Sequence, residues 1–156
     1  MEDFIARYGL VPHPEGGHYR EVYRSPLPVR DEGRGVVRHA LTAIHFLLEE
    51  GGCSRWHQVR SEEVWHHAGG GPVELLLVSP NMMDHQRIVL GGSDEGHTPF
   101  GVVPAHWWQA ARACEGYCLC SCFVAPGFDL ADFRLMDDEA LRAILREHWP
   151  DLVALL

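Results

Sequence analysis

Lysine is absent from this chain: all 13 cationic side chains among its 156 residues are arginines. Without lysine there is no Schiff base to a carbonyl substrate, no pyridoxal-lysine linkage and no P-loop lysine. Cations are also outnumbered, 13 against 22 carboxylates, for a formal net charge of -9. That balance argues against nucleic acid or a membrane surface as the main partner. Long apolar runs are missing too. Runs such as Leu75–Val78 fall far short of the roughly 20 residues a membrane helix needs. The start, Met1-Glu-Asp-Phe-Ile-Ala-Arg-Tyr8, lacks the cationic and apolar stretches of a secretory leader, so a cytoplasmic location is expected. No Cys-x-x-Cys pair offers a zinc ribbon. Three of the 5 cysteines alternate in Cys118-Leu-Cys-Ser-Cys122, which sets them on one strand face, poorly placed to bridge. They are expected to pack as small residues inside a sheet of a reduced protein.

Histidine is what the chain has in excess, with 11 copies. Imidazole is the side chain that changes charge near neutral pH and that ligates metals, so the composition leans towards acid–base or metal-assisted chemistry. The length fits one domain able to bury roughly two-thirds of its unfolded surface. Residues 3–9 predict a short helical turn, ended by Gly9, Pro12 and Pro14. From there to about residue 134, short β-rich runs alternate with turn residues: Tyr19–Tyr23, Ala40–Leu48, Val64–His67, Val73–Val78, Arg87–Leu90, Phe100–Val103 and Tyr117–Val124. Many short strands at this spacing predict a closed or sandwiched antiparallel sheet. The period then changes. Asp137 or Asp138 can cap a helix that places Leu141, Ile144, Leu145 and His148 on one face, interrupted by Pro150.

Reactive groups are densest between Gly51 and Gly70. A tight connection between two strands would set His57 beside Glu63, with Trp65 and His67 on the same face as the glutamate. One imidazole and one carboxylate are a common start for a zinc, iron or manganese site, completed by ligands from other strands.

The stretch His57–Gly70 resembles the first cupin motif, Gly-x5-His-x-His-x3-Glu-x6-Gly. His57 matches its first His, Glu63 its Glu and Gly70 its closing Gly, while Val59 stands where the second His belongs. The second cupin motif is partly kept in Pro104-Ala-His106-Trp-Trp-Gln109, with Gln109 where its metal-binding His belongs. Leu10-Val-Pro-His-Pro-Glu-Gly-Gly-His-Tyr-Arg-Glu-Val-Tyr-Arg-Ser25 resembles the opening signature of cupin family five. So do Thr42–Leu48, Ser54-Arg-Trp-His57, Glu63-Val-Trp-His66 and Val124–Asp129. His45 replaces a tyrosine usual in that family.

The resemblance implies an all-β cupin jelly-roll barrel with short N- and C-terminal helices. A single domain over 1–156 is expected, with its barrel at about 17–134 and a helical tail at 137–156. It also implies a homodimer formed through the N-terminal strand, which covers an exposed sheet edge. A divalent metal is expected on His57, Glu63 and Gln109: zinc, or else iron, nickel or manganese. His45, His67 and Glu63 are the expected acid–base groups. Trp65, His66, Trp108, Tyr19 and Arg24 are the expected substrate contacts. With no lysine, an anionic substrate group falls to Arg20 or Arg24, unless these pair with Glu15 or Glu21. The reaction these residues suggest is isomerisation or epimerisation of a small carbonyl compound, a 2-oxo acid such as an aryl pyruvate, or a sugar. The alternatives are a non-haem iron dioxygenase and a small-ligand-binding cupin without turnover.

Overall fold

A computed structural model describes residues 2–156. The chain runs through α1 (Glu2–Tyr8), β1 (Val11–Pro12), β2 (His18–Arg24), β3 (Pro28–Asp31), β4 (Val36–His39), β5 (Thr42–Leu48) and β6 (Cys53–Val59). It continues with β7 (Glu62–Gly70), β8 (Val73–Val78), β9 (His85–Leu90), β10 (Phe100–Val103), β11 (Trp108–Ala113), β12 (Cys118–Ala125) and β13 (Phe133–Leu135). It ends in α2 (Glu139–His148) and a 3-10 turn, Pro150–Leu155. The strands form a six-stranded sheet ordered β1-β2-β5-β12-β7-β10 and a five-stranded sheet ordered β13-β6-β11-β8-β9, with β3 and β4 paired apart. All these pairings are antiparallel. This is the jelly-roll architecture that the spacing of short strands predicts.

Between the sheets, Phe46, Leu48, Trp65, Leu75, Leu77 and Leu90 form the main core. Cys118, Cys120 and Cys122 join it from the inner face of β12, as their alternation dictates. β8 shows no alternation because both its faces are buried. Leu75 and Leu77 enter the core, while Leu76 and Val78 pack outward against Leu145, Leu152 and Leu155. α2 is capped by Asp138, whose side chain accepts from the Ala140 backbone N–H. Leu141, Ile144 and Leu145 pack as predicted, but His148, in the last turn of the helix, is exposed.

The sequence places Gln109 on a strand but does not mark the bounds of β11, because Trp-Gln-Ala-Ala-Arg-Ala carries no β-branched residue. β11 is a strand by virtue of its neighbours, β6 and β8, which hold it on both sides. No helix among the described residues is long and apolar enough to cross a membrane.

Candidate active site

The site begins with a tight loop ahead of β2. Pro12-His-Pro-Glu-Gly-Gly17 folds back on itself, with the His13 N–H donating to the Gly17 carbonyl and the Gly16 N–H to that of His13. Gly16 has φ +113, and a Cβ there would lie 2.3 Å from the Cys53 carbonyl oxygen. Only glycine lets the loop press this closely against β6. The Arg55 N–H locks the contact by donating to the Glu15 carbonyl at 2.8 Å. Glu15 is thereby driven into the barrel.

There it meets β6. Ser54 Oγ donates to Glu15 Oε1 at 2.9 Å, and His57 Nε2 lies 3.2 Å from Glu15 Oε2. His57 Nδ1 faces the Arg55 carbonyl at 2.8 Å, which places its proton on Nδ1 and leaves Nε2 to share the Glu15 proton. His13 Nδ1 accepts from the Glu15 backbone N–H. From β7, Glu63 enters the same space. Its Oε2 accepts from Gln109 Nε2 at 2.6 Å, and Gln109 Oε1 accepts from Trp65 Nε1 at 2.9 Å. A cavity of about 380 Å³ opens over these groups, walled by Tyr19, Phe46, Val59, Trp65 and Phe133.

Burial governs the acid–base character of this cluster. It pushes Glu15 up to about 8, against the Ser54 hydrogen bond and the Arg55 charge. It pushes Glu63 up to about 7, opposed by His57 and reinforced by the Glu15 charge. Burial holds His13 down at about 4, helped by His57, and lowers His57 as well.

These shifts set a pH dependence. The folded state keeps protons on Glu15 and Glu63 that the unfolded chain has lost, so their stabilisation is present at low pH and fades as pH rises through about 7 and 8. The histidines act the other way, adding stability as pH rises towards the ordinary value of 6.5, and nothing beyond it. Denaturant unfolding is expected to show stability falling from pH 6.5 to about 8.5, and falling less in Glu63→Gln. A flat profile in this interval would mean the carboxyls are not held neutral.

Several sequence-predicted residues lie elsewhere. His45 is on the outer face of β5, its ring 5.5 Å from that of Tyr8. Strand alternation gives the cavity to Ile44 and Phe46 instead. His66 faces outward against Phe100, ring centroids 4.7 Å apart. His67 has inward parity, but it pairs with Cys120, one step along β7 past the Trp65–Cys122 pair that lines the cavity, and its Nε2 meets the Gly71 carbonyl. Trp108 points behind the five-stranded sheet, with the Arg134 guanidinium 4.7 Å from its ring. Arg20 bonds the Tyr8 carbonyl outside the cup. Tyr19, Arg24, Trp65 and Glu63 line the cavity.

The ligand set His57, Glu63 and Gln109 does not assemble. The only ligating atom of Gln109 is taken by Trp65, its amide N–H is given to Glu63, and Val59 offers the cup a hydrocarbon. Among the described residues no three His, Cys, Asp or Glu side chains converge as metal ligands. The donor chemistry does not fit a resident divalent ion.

Glu15 and His13 are site residues that the sequence motifs do not mark. The available signal was the unusual bracketing of one acid by two prolines and two glycines.

A family model described as "Cupin superfamily (DUF985)" matches residues 2–136. A hypothetical protein from Leishmania major is 33% identical, with a TM-score of 0.84 over 99% of this chain and 94% of its own. A protein of solved structure from Shewanella oneidensis is 31% identical, with a TM-score of 0.85 over 99% of this chain and 95% of its own. An oxalate decarboxylase variant from B. subtilis shares the fold at 13% identity, with a TM-score of 0.59 over 93% of this chain and 37% of that one. No protein of curated function matches the chain.

Proposed function

This chain belongs to the cupin superfamily, in the family described as DUF985, and within the enzyme and ligand-binding roles of cupins we propose that it is an isomerase or epimerase of a small carbonyl compound. The supporting observation is a pair of carboxyl groups, Glu15 and Glu63, that line one cavity and are held at about 8 and about 7. Near neutral pH the first is mostly an acid and the second is substantially a base. Two titratable groups poised on either side of the working pH are what proton transfer beside a carbonyl requires.

Glu63 removes the proton from the carbon next to the carbonyl. Glu15 supplies the proton it shares with His57 Nε2 to the carbonyl oxygen as the enol forms. The carboxylate left on Glu15 keeps the Ser54 hydrogen bond. If the enol turns over in the cavity, Glu15 takes the proton back from the oxygen and Glu63 returns its own to the other face of the carbon, which gives the epimer. In an enediol, Glu63 protonates the former carbonyl carbon while Glu15 takes the proton of the neighbouring hydroxyl, which gives the isomer. Protons and electrons balance without an oxidant, and no step calls on a metal.

Incubation with small aldehydes, ketones and reducing sugars in deuterated water is expected to place deuterium on the carbon beside the carbonyl, without oxygen consumption. Oxygen uptake after iron loading would favour a dioxygenase instead, and absence of exchange from every carbonyl class would overturn the reading.

A further inference from the structure

The cup's wall is rich in carboxyl groups and poor in cations. Among the described residues four carboxyl side chains line it, Glu15, Glu21, Glu63 and Asp129, the last with the Arg38 guanidinium 4.0 Å away, against the one lining guanidinium of Arg24. That guanidinium is already committed. Its Nε donates to Glu21 Oε1 at 2.9 Å, its Nη2 to Glu21 Oε2 at 2.5 Å and its Nη1 to the Phe128 carbonyl at 3.2 Å. A bidentate pair of this kind satisfies both carboxylate oxygens and leaves the cation little to offer a ligand. The other ionisable base on the wall, His13, uses Nδ1 as an acceptor and so presents no cation. Arg20 is spent outside the cup on the Tyr8 carbonyl.

An anion entering this cavity would meet no free cation: Arg24 is held by Glu21, and at the floor it would face Glu15, which keeps its proton near neutral pH, and the partly ionised Glu63. A net charge of -9 on the whole chain adds to the barrier. An ammonium group meets acceptors instead, with Glu63 free to ionise beside it. Carboxyl oxygens lie at the floor and rim, and Tyr19, Phe46, Trp65 and Phe133 form aromatic walls between them. Aromatic faces attract ammonium groups and accept apolar bodies.

We infer that the cup takes a small molecule carrying a protonated amine on an apolar or aromatic body, and that it rejects carboxylates and phosphates. This rests on the isomerase reading for its chemistry: the substrate becomes an amino-substituted aldehyde or ketone. An ammonium beside the carbonyl also withdraws electrons from the C–H bond that Glu63 must break. The 2-oxo acid expected from the sequence lacks a partner here, because Arg24 is held by Glu21.

Three probes of one shape decide the matter: phenethylamine, 2-phenylethanol and phenylacetate, titrated calorimetrically into the whole protein near neutral pH. The amine is expected to bind at least about tenfold more tightly than the alcohol, and phenylacetate at least about tenfold more weakly than the alcohol. Glu21→Gln, a change at a half-exposed position, frees Arg24 and is expected to strengthen phenylacetate binding while weakening the amine. Phenylacetate binding to the wild type as tightly as phenethylamine, or an amine no tighter than the alcohol, overturns the inference. Binding is read without turnover, so the two proposals fail separately. A retained amine preference with no deuterium exchange would remove the isomerase and leave the ligand class standing.

Discussion

Replacing Glu63 with glutamine is expected to slow solvent-deuterium exchange into the substrate by about 10²–10⁴-fold, the usual worth of a positioned general base. Glutamine keeps the size of the side chain and an oxygen to accept from Gln109 Nε2, so the hydrogen-bonded chain from Trp65 through Gln109 survives. What disappears is the group that can take a proton from carbon. The effect should fall on kcat more than on KM, because the amide still fills the same place in the cavity wall. Glu15→Gln is expected to act less simply, since it also breaks the shared proton with His57. Unfolding measured alongside separates loss of chemistry from loss of fold. Exchange at the wild-type rate in a folded Glu63→Gln variant would move the base elsewhere and sink the mechanism.

The architecture could be read from sequence because it rests on local pattern. β8 and β10 begin and end where the apolar runs do, and Asp138 caps α2 as its position before a helical period predicts. The site was harder, for a physical reason. Strand parity names the face a side chain takes but not how far along the barrel the cavity reaches. It places Glu63 and Trp65 in the cup, but His67, on the same face, pairs with Cys120 one step past the cavity wall. It cannot say which of two adjacent residues faces in when the bounds of the strand are not marked. Gln109 therefore faces inward and Trp108 outward on β11, contrary to the role given to that tryptophan. The second carboxyl was least legible of all. Glu15 reaches its place through a glycine-strained loop and one backbone hydrogen bond to β6, contacts made 39 residues apart from Ser54 along the chain. No periodicity encodes a contact of that kind.

The largest loss of stability is expected from Trp56→Ala, about 3–5 kcal/mol, as for other buried aromatic truncations. Trp56 is 1% exposed and sits one residue before His57, on the opposite face of β6. Its ring is packed among Met136, Leu145, Leu152 and Leu155, and its Nε1 donates to the Leu152 carbonyl at 3.0 Å. It therefore ties the C-terminal turn to the strand that bears the site. Alanine removes the ring, leaves the Leu152 carbonyl unsatisfied and opens a void that α2 cannot collapse to fill. Trp56→Phe keeps most of the packing, and loss of its hydrogen bond should cost about 0.5–1.5 kcal/mol. Urea unfolding measures both, as a shift in midpoint at unchanged slope. A loss below about 1 kcal/mol in the alanine variant would mean the tail does not seal this sheet. Because the ring lies behind β6 rather than in the cup, Trp56→Phe should retain deuterium exchange. A phenylalanine variant that is stable yet inactive would instead show that the position of His57 depends on the Leu152 hydrogen bond, and that the tail is coupled to the chemistry.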